Sequence, residues 1–260
     1  MNDQEFKVYV NKRRNKWKHK KFIANNNVFV EDELTREQLL RKIKECIEDV
    51  KHSRYFEALV EVIERNVELK PKAIVCYGLG RLAASNCSRY QFALLSLLKN
   101  TLDCQNVFVF DPIFTELDKD VLSNVYQCEI ITENEKCKRR VGCEQVFFFM
   151  PHCDKALFNN LLWINWDVFC LSNVIIFGNS FSSMIDAIVS KEAKAQFNYL
   201  VNVLSLNLVN ECRIENNFRL KDVFNDLSLH LFPVSEMDES VLSACYSLQS
   251  PVYNEENDVI

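Results

Sequence analysis

The sequence predicts an α/β fold of Rossmann-like type: a doubly wound, mostly parallel sheet with N-terminal helices packed on it. Three observations carry this. After Pro71, short apolar runs rich in β-branched and aromatic residues alternate with longer segments of helical period, the rhythm of consecutive βαβ units. The runs are continuously apolar rather than alternating, as strands buried on both faces are. Third, the chain has only four glycines, and Gly78, Gly80 and Gly178 each follow such a run, where a backbone without Cβ turns most easily.

Taken in order, residues 1–30 are polar and basic, with Lys12-Arg13-Arg14 and a second group around His19. A solvated, flexible tail is expected, with a nuclear-localisation or RNA-contacting arm as the alternative. A helical segment spans 31–70. Thr35 and Gln38 make a capping box, and Leu39, Leu40, Ile43, Cys46, Ile47 and Val50 form a stripe of period 3.6. A second helix over 53–65 carries Phe56, Leu59, Val60 and Ile63.

The sheet domain is expected over 71–235. Strand 73–77 leads into a helix over 82–98, and strand 107–110 into a helix over 116–126. A short third strand lies at 129–132 and a charged loop at 134–142. The run 145–150 is a buried strand, followed by a helix from Asp154 to about residue 169. Strand 173–177 ends at Gly178, and Ser183 with Asp186 offers a capping box for the next helix. Residues 199–209 fit helix or strand, and 224–232 ends as an alternating strand. An acidic, frayed tail is expected over 236–260. Right-handed crossovers between the parallel strands place helices on both faces.

Composition narrows the function. With 48% hydrophobic and 26% charged residues the chain is ordinarily globular, and its net charge of −5 provides no basic field for nucleic acid. No run has the ~18–20 apolar residues of a membrane span, and the charged N-terminus does not read as a secretory signal. Eleven scattered cysteines without a Cys-x-x-Cys suit reduced core thiols of the cytosol or nucleus. The P-loop, the Gly-x-Ser-x-Gly elbow and His-Glu-x-x-His are absent, and no metal is expected.

In a parallel sheet the carboxyl ends of the strands share one edge, where ligands bind. The polar punctuation falls at those ends: Gly78-Leu79-Gly80, Asp111-Pro112, Pro151-His152-Cys153 and Gly178-Asn179-Ser180. Gly78-x-Gly80-x-x-Ala83 matches the strand–turn–helix fingerprint of dinucleotide-binding folds, with Asp111 in the place of the ribose-binding carboxylate. Asp111 follows Ala83 by 28 residues, later than the typical ~20. His152 and Cys153 precede a helix N-terminus, which favours anions and thiolates. They are the weak catalytic candidates. Asn159, Asn160 and Asn165 crowd one helix, where asparagine is a poor interior residue, so they are expected to bond inward or to loops. His230 shares a strand face with Ser228. The expected ligand-binding set is Gly78, Gly80, Asp111, His152, Asn160, Gly178, Asn179, Ser180 and His230.

Several of these motifs occur together in a known family. Tyr77-Gly78-Leu79-Gly80, Ser88-Arg89-Tyr90-Gln91-Phe92-Ala93, Asp111-Pro112-Ile113-Phe114, Met150-Pro151-His152-Cys153, the run from Asn159 to Trp166, Gly178-Asn179-Ser180-Phe181, and Phe224-Asn225-Asp226-x-Ser228-x-His230 resemble the SENSITIVITY TO RED LIGHT REDUCED family over residues 72–233. The resemblance implies a regulatory protein of circadian clock input and clock-gene expression or, in animals, of haem biosynthesis. It also implies a cytoplasmic and in some cases nuclear location and protein partners in those processes. It attaches no reaction. The chain has no Cys-Pro dipeptide, so direct haem ligation would fall to His152, Cys153 and His230.

Three readings follow. The first is a regulatory protein whose crevice binds a small ligand, either a nucleotide-type cofactor or a haem-type tetrapyrrole. The second is an adenosyl- or nicotinamide-dependent transferase or reductase, with Gly78, Gly80 and Asp111 on the cofactor and His152 as acid–base. The third is an interaction module whose crevice has degenerated.

Overall fold

The computed structural model describes residues 34–233 together with Ser250, Pro251 and Tyr253. The basic tail 1–30 and, those three residues apart, the acidic tail 236–260 lie outside the described residues. Helix α1 (Arg36–Lys51) opens with the expected capping box between Thr35 and Gln38. Ser53 caps α2 (Arg54–Asn66). A seven-stranded sheet follows, in the order β3-β2-β1-β4-β5-β7-β6. Its strands are β1 (Ala73–Tyr77), β2 (Val107–Phe110), β3 (Glu129–Ile130), β4 (Val146–Met150), β5 (Val174–Asn179), β6 (Asn210–Arg213) and β7 (Leu227–Leu231). The first five pair in parallel. Strand β7 runs antiparallel to both β5 and β6. Strand order therefore reverses between β1 and β4, the switch point of a doubly wound sheet.

Side chains of a strand alternate between faces, and the two cores follow that alternation. Ile74, Cys76, Phe147, Phe149 and Phe177 join the core shared with α1, α2 and α3 (Asn86–Thr101). Val75, Tyr77, Phe148, Met150 and Ile176 join the core beneath α5 (Lys155–Ile164), α7 (Phe181–Asp186) and α9 (Asn198–Ser205). Phe147, Phe148 and Phe149 are all fully buried, each stabilising the fold by roughly 1.5–3 kcal/mol. The N-terminal helices belong to the first core: the Tyr55 ring of α2 stacks on Phe224 at 4.6 Å.

Several boundaries differ from the sequence expectation. The first long helix begins at Asn86 instead of Leu82, because Ser85 is its cap and accepts from the Ser88 amide at 3.1 Å. Leu82 and Ala83 are buried in a preceding turn, so their apolar spacing imitates helix. The helix after Asp154 breaks at Asn165, whose side chain bonds Leu161 O, Arg139 O and the Val141 amide. Asp167 then caps a separate α6 (Val168–Leu171). Helix α7 is capped by Ser180, with Ser183 donating its amide to that cap. After α4 (Glu116–Asp120) the chain widens into a π-helical turn, Val121–Val125. Residues 198–205 resolve as helix α9, following the short α8 (Lys191–Ala195).

Gly178 sits in β5 under pressure from both sides. A Cβ there would lie 2.7 Å from the Phe158 ring and 2.9 Å from Met150 O. Gly178→Ala should cost about 1–3 kcal/mol by overpacking. Gly142→Ala, with nothing within 4 Å of its Cβ, should stay within about 0.5 kcal/mol. Urea unfolding of the two variants checks the contrast, and equal midpoints would refute the packing role.

Candidate functional site

At the carboxyl end of β1, Gly78 (φ 73°) and Gly80 (φ 78°) both turn left-handed, a conformation that strains residues with a Cβ. The Gly80 amide donates to Asp111 Oδ2 at 2.7 Å, and Asp111 Oδ1 accepts from Ile113 N at 3.0 Å. The Ala83 amide donates to Oδ1 of the fully buried Asp118 at 3.0 Å. Asp118 Oδ2 accepts from the amide and hydroxyl of Thr115. From the other side Arg89, also buried, donates to Leu82 O at 2.7 Å. Two carboxylates of the β2–α4 segment and one guanidinium of α3 thus clamp the turn.

The clamp alters what the glycines mean. A Cβ at Gly78 would meet Cys153 Sγ at 2.7 Å, and one at Gly80 would meet Ser88 Oγ at 2.5 Å. In the dinucleotide fingerprint the second glycine leaves room for a pyrophosphate at a helix N-terminus. Here Ser88 takes that room, and the helix starts six residues after Gly80, at Asn86. Asp111 is likewise engaged with the chain's own amides. The turn therefore lacks the arrangement on which the dinucleotide reading depends.

The open space lies further along the same edge. A cleft of about 430 Å³ is lined by His152, Cys153, Asp154, Lys155, Asn179, Ser183, Met184, Ala187 and Asp226. It spans the ends of β4 and β5 and the start of β7. His152 is exposed and holds φ 58°; Asp226 is exposed and holds φ 55°. Histidine and aspartate are among the non-glycine residues that enter this region most readily, and Asp103, Gln127, Lys136, Cys137 and Asn207 adopt it outside the cleft. His152 Nε2 lies 3.0 Å from Val223 O. A carbonyl only accepts, so Nε2 carries a proton, and in the neutral tautomer the lone pair falls on Nδ1. Asp226 Oδ1 accepts from Ser183 Oγ at 3.1 Å, and the Asn179 side-chain oxygen is shut from solvent without a partner. Cys153 is not activated: its thiol donates to Tyr77 O at 3.3 Å, and burial pushes its pKa well up, with Asp111 and Asp154 adding to the shift.

Gly78, Cys153, His152 and Asn179 thus share one edge, while other expected residues lie within the protein. Asn160 is buried, donating to Lys136 O at 3.0 Å and accepting from the Tyr253 hydroxyl at 2.9 Å. It fastens the charged loop to α5, as Asn165 does. Asn159 takes the Tyr199 and Leu200 amides at the start of α9. Gly178 is pressed on Phe158, and Ser180 is a buried cap also reached by Arg213. His230 is fully buried, stacked on Phe181 at 3.9 Å, with Nδ1 on Ile176 O at 3.2 Å and Nε2 unpartnered. Of the three residues left for haem ligation, His230 is enclosed and Cys153 turns its sulfur to the β1 backbone. His152 holds Val223 O through Nε2, which leaves Nδ1 without a partner among the described residues.

Sequence reasoning missed Asp226, Asp118 and Arg89. The signal for Asp226 was Asn225-Asp226 before an alternating strand, since both residue types tolerate the left-handed region. Asp118 stands three residues after Thr115 in the capping-box relation that the structure contains. Nothing in the sequence marks Arg89 as buried. Among the described residues no cluster of three or more His, Cys, Asp or Glu could hold a metal ion. None of the described helices is long and apolar enough to cross a membrane.

The SRR1 domain model matches residues 56–231. An SRR1-like protein of Mus musculus is 31% identical over 208 residues, covering 66% of this chain and 83% of the mouse protein. One of Drosophila melanogaster is 26% identical over 86% of this chain and 79% of its own length. Protein SENSITIVITY TO RED LIGHT REDUCED 1 of Arabidopsis thaliana is 29% identical over 61% of this chain and 58% of its own. Among solved structures, the 23S rRNA methyltransferase ErmE superposes with a TM-score of 0.42 at 11% identity, covering 72% of each chain. Similarity that loose says nothing of activity.

Burial pushes the His230 pKa down to about 4, against an opposing pull from Glu211. The unfolded chain, with an ordinary value near 6.5, takes up its proton first, so stability falls as pH drops from about 6.5 towards 4. His230→Phe keeps a ring beside Phe181 and should flatten that window in pH-dependent urea midpoints. An unchanged slope would assign it to other groups.

Proposed function

Because the chain belongs to the SRR1 domain family, we propose that it is a regulatory protein of clock input or haem biosynthesis that binds a small molecule in the cleft beside His152. One observation carries the ligand-binding reading. Two non-glycine residues in left-handed conformation, His152 and Asp226, line the same cleft as the unpartnered Asn179 oxygen. Histidine and aspartate enter that region more readily than most residues, so the reading rests on the two falling together at one cleft.

The process assignment rests on the family resemblance, as do a cytoplasmic and nuclear location and partners in those pathways. In this reading the cleft belongs to segment 71–235, and the helical segment 31–70 packs on it. Haem regulation would act through a bound tetrapyrrole or a partner. A second reading, an adenosyl- or nicotinamide-dependent transferase or reductase, is favoured by the His152 Nδ1 lone pair, which suits a general base. Cys153 has no part in it as a nucleophile.

Native mass spectrometry of the protein purified from its own host should detect a bound small molecule. Thermal shift with nicotinamide, adenosyl and tetrapyrrole ligands should identify its class. A ligand at a hundredfold excess over its Kd adds about 2.7 kcal/mol, or about 5–10 °C for a chain of this size. Absence of any bound species or shift removes the ligand-binding reading. The enzyme reading requires that His152→Ala abolish turnover in a protein that melts normally.

A further inference from the structure

Tyr253 returns to the sheet domain from far along the chain, and Asn159 and Asn160 of α5 receive it. Its hydroxyl donates to Asn160 Oδ1 at 2.9 Å, has Ala156 O also in reach at 3.1 Å, and accepts from Asn159 Nδ2 at 3.1 Å. Its ring stacks on Phe197 with centroids 5.9 Å apart. Both asparagines, Ala156 and Phe197 are buried.

Neither side-chain amide is free to turn round. Asn160 Nδ2 donates to Lys136 O at 3.0 Å, which leaves its oxygen towards the tyrosine. Asn159 Oδ1 accepts from the Tyr199 and Leu200 amides at 3.0 and 3.2 Å, which leaves its nitrogen there. Backbone groups of other elements thus fix one acceptor and one donor around a single oxygen. A neutral hydroxyl, which gives one hydrogen bond and takes others, satisfies both. Burial, with Asp154 adding to it against the Asn159 hydrogen bond, raises the Tyr253 pKa to about 12, so the phenol keeps its proton at neutral pH.

That oxygen has three neighbours within 3.1 Å, and a phosphorus bonded to it would have to stand among them. A phosphoryl group would also remove the hydrogen that Asn160 Oδ1 accepts, and would bring negative charge into an enclosed site near the Asp154 carboxylate. The neighbouring cation is Lys155, whose Nζ lies 5.1 Å from the Phe197 centroid.

We propose that Tyr253 is a modification-controlled latch: the neutral phenol docks the carboxyl-terminal segment on α5, and phosphorylation of its hydroxyl releases it. A tyrosine kinase supplies the group from a nucleoside triphosphate while the latch is open. The phenolic oxygen bonds to the γ-phosphorus, the bond to the departing diphosphate breaks, and the phenolic proton passes to the kinase or to water. Asp154 and Lys155, the two residues before Ala156, line the cleft, so release alters the surface beside it. The latch stands on its own contacts, whether or not the cleft binds a ligand.

The full chain with phosphotyrosine encoded at position 253, compared with the unmodified chain and with Tyr253→Phe, tests this. A protease that cuts after glutamate reads the latch at Glu255 and Glu256, because cleavage follows the population of the open form. Each rate is divided by that of the matching free peptide, residues 247–260, which cancels any effect of the phosphate on the protease itself. Tyr253→Phe keeps the ring contact and should be cut about fivefold faster, the worth of one hydrogen bond. The phosphotyrosine chain should be cut more than about tenfold faster, since the lost hydrogen bond is joined by buried charge. All three should share one circular dichroism spectrum, which keeps the comparison to the latch. A phosphotyrosine chain cut no faster than the unmodified one, its phosphate held by Lys155, overturns the proposal. Equal rates for the unmodified chain and Tyr253→Phe overturn the hydroxyl socket. An unmodified chain cut as fast as its free peptide is not docked, and the proposal falls.

Discussion

Amides that leave the sheet at its carboxyl edge need partners, and for Gly80, Ala83, Ala156 and Ser182 this protein supplies them from its own acidic side chains. That requirement shapes the molecule more than any single core contact. Strands buried on both faces end together at that edge, and the loops beyond them carry amides that no ladder satisfies. Asp111 and Asp118 reach back from the second crossover to hold the first turn, while Arg89 takes its carbonyls. Two of these charges are buried, and each is held by hydrogen bonds to the turn or its neighbours, so losing those bonds would leave a buried charge unsatisfied. The turn is consequently rigid, and the adaptable surface moves along the edge to His152, Asn179 and Asp226.

The strands were legible because continuous apolar runs bounded by glycine, proline or Asp-Pro have few alternative structures. The capping box at Thr35 was legible because it is a purely local bond. The start of α3 was not, since Leu82 and Ala83 keep a helical spacing while being buried as a turn. The break at Asn165 was equally hidden. Its cause is a set of bonds to Arg139 and Val141, residues more than twenty positions upstream.

The candidate site divides the same way. Shared location at one sheet edge was readable from the order of strand ends, and His152 and Asn179 do line one cleft. What each residue does there was not readable. Gly78 and Gly80 make room for Cys153 and Ser88, and Asn160 serves a loop. His230 and Gly178 pack inward. A glycine or asparagine at a strand end has the same letter whether it admits a ligand or a neighbour, and only the contact decides.

Asn159 has a consequence for the order of assembly. Helix α9 has no cap from its own flanking side chains; its first amides bond to Asn159 of α5, forty residues earlier. Eight residues make too short a helix to persist alone in water. On the ribosome α5 emerges before α9, and the later helix can then form on a partner already in place. A circular permutant opened between them would reverse that sequence of events and leave α9 without its template at the moment it is made.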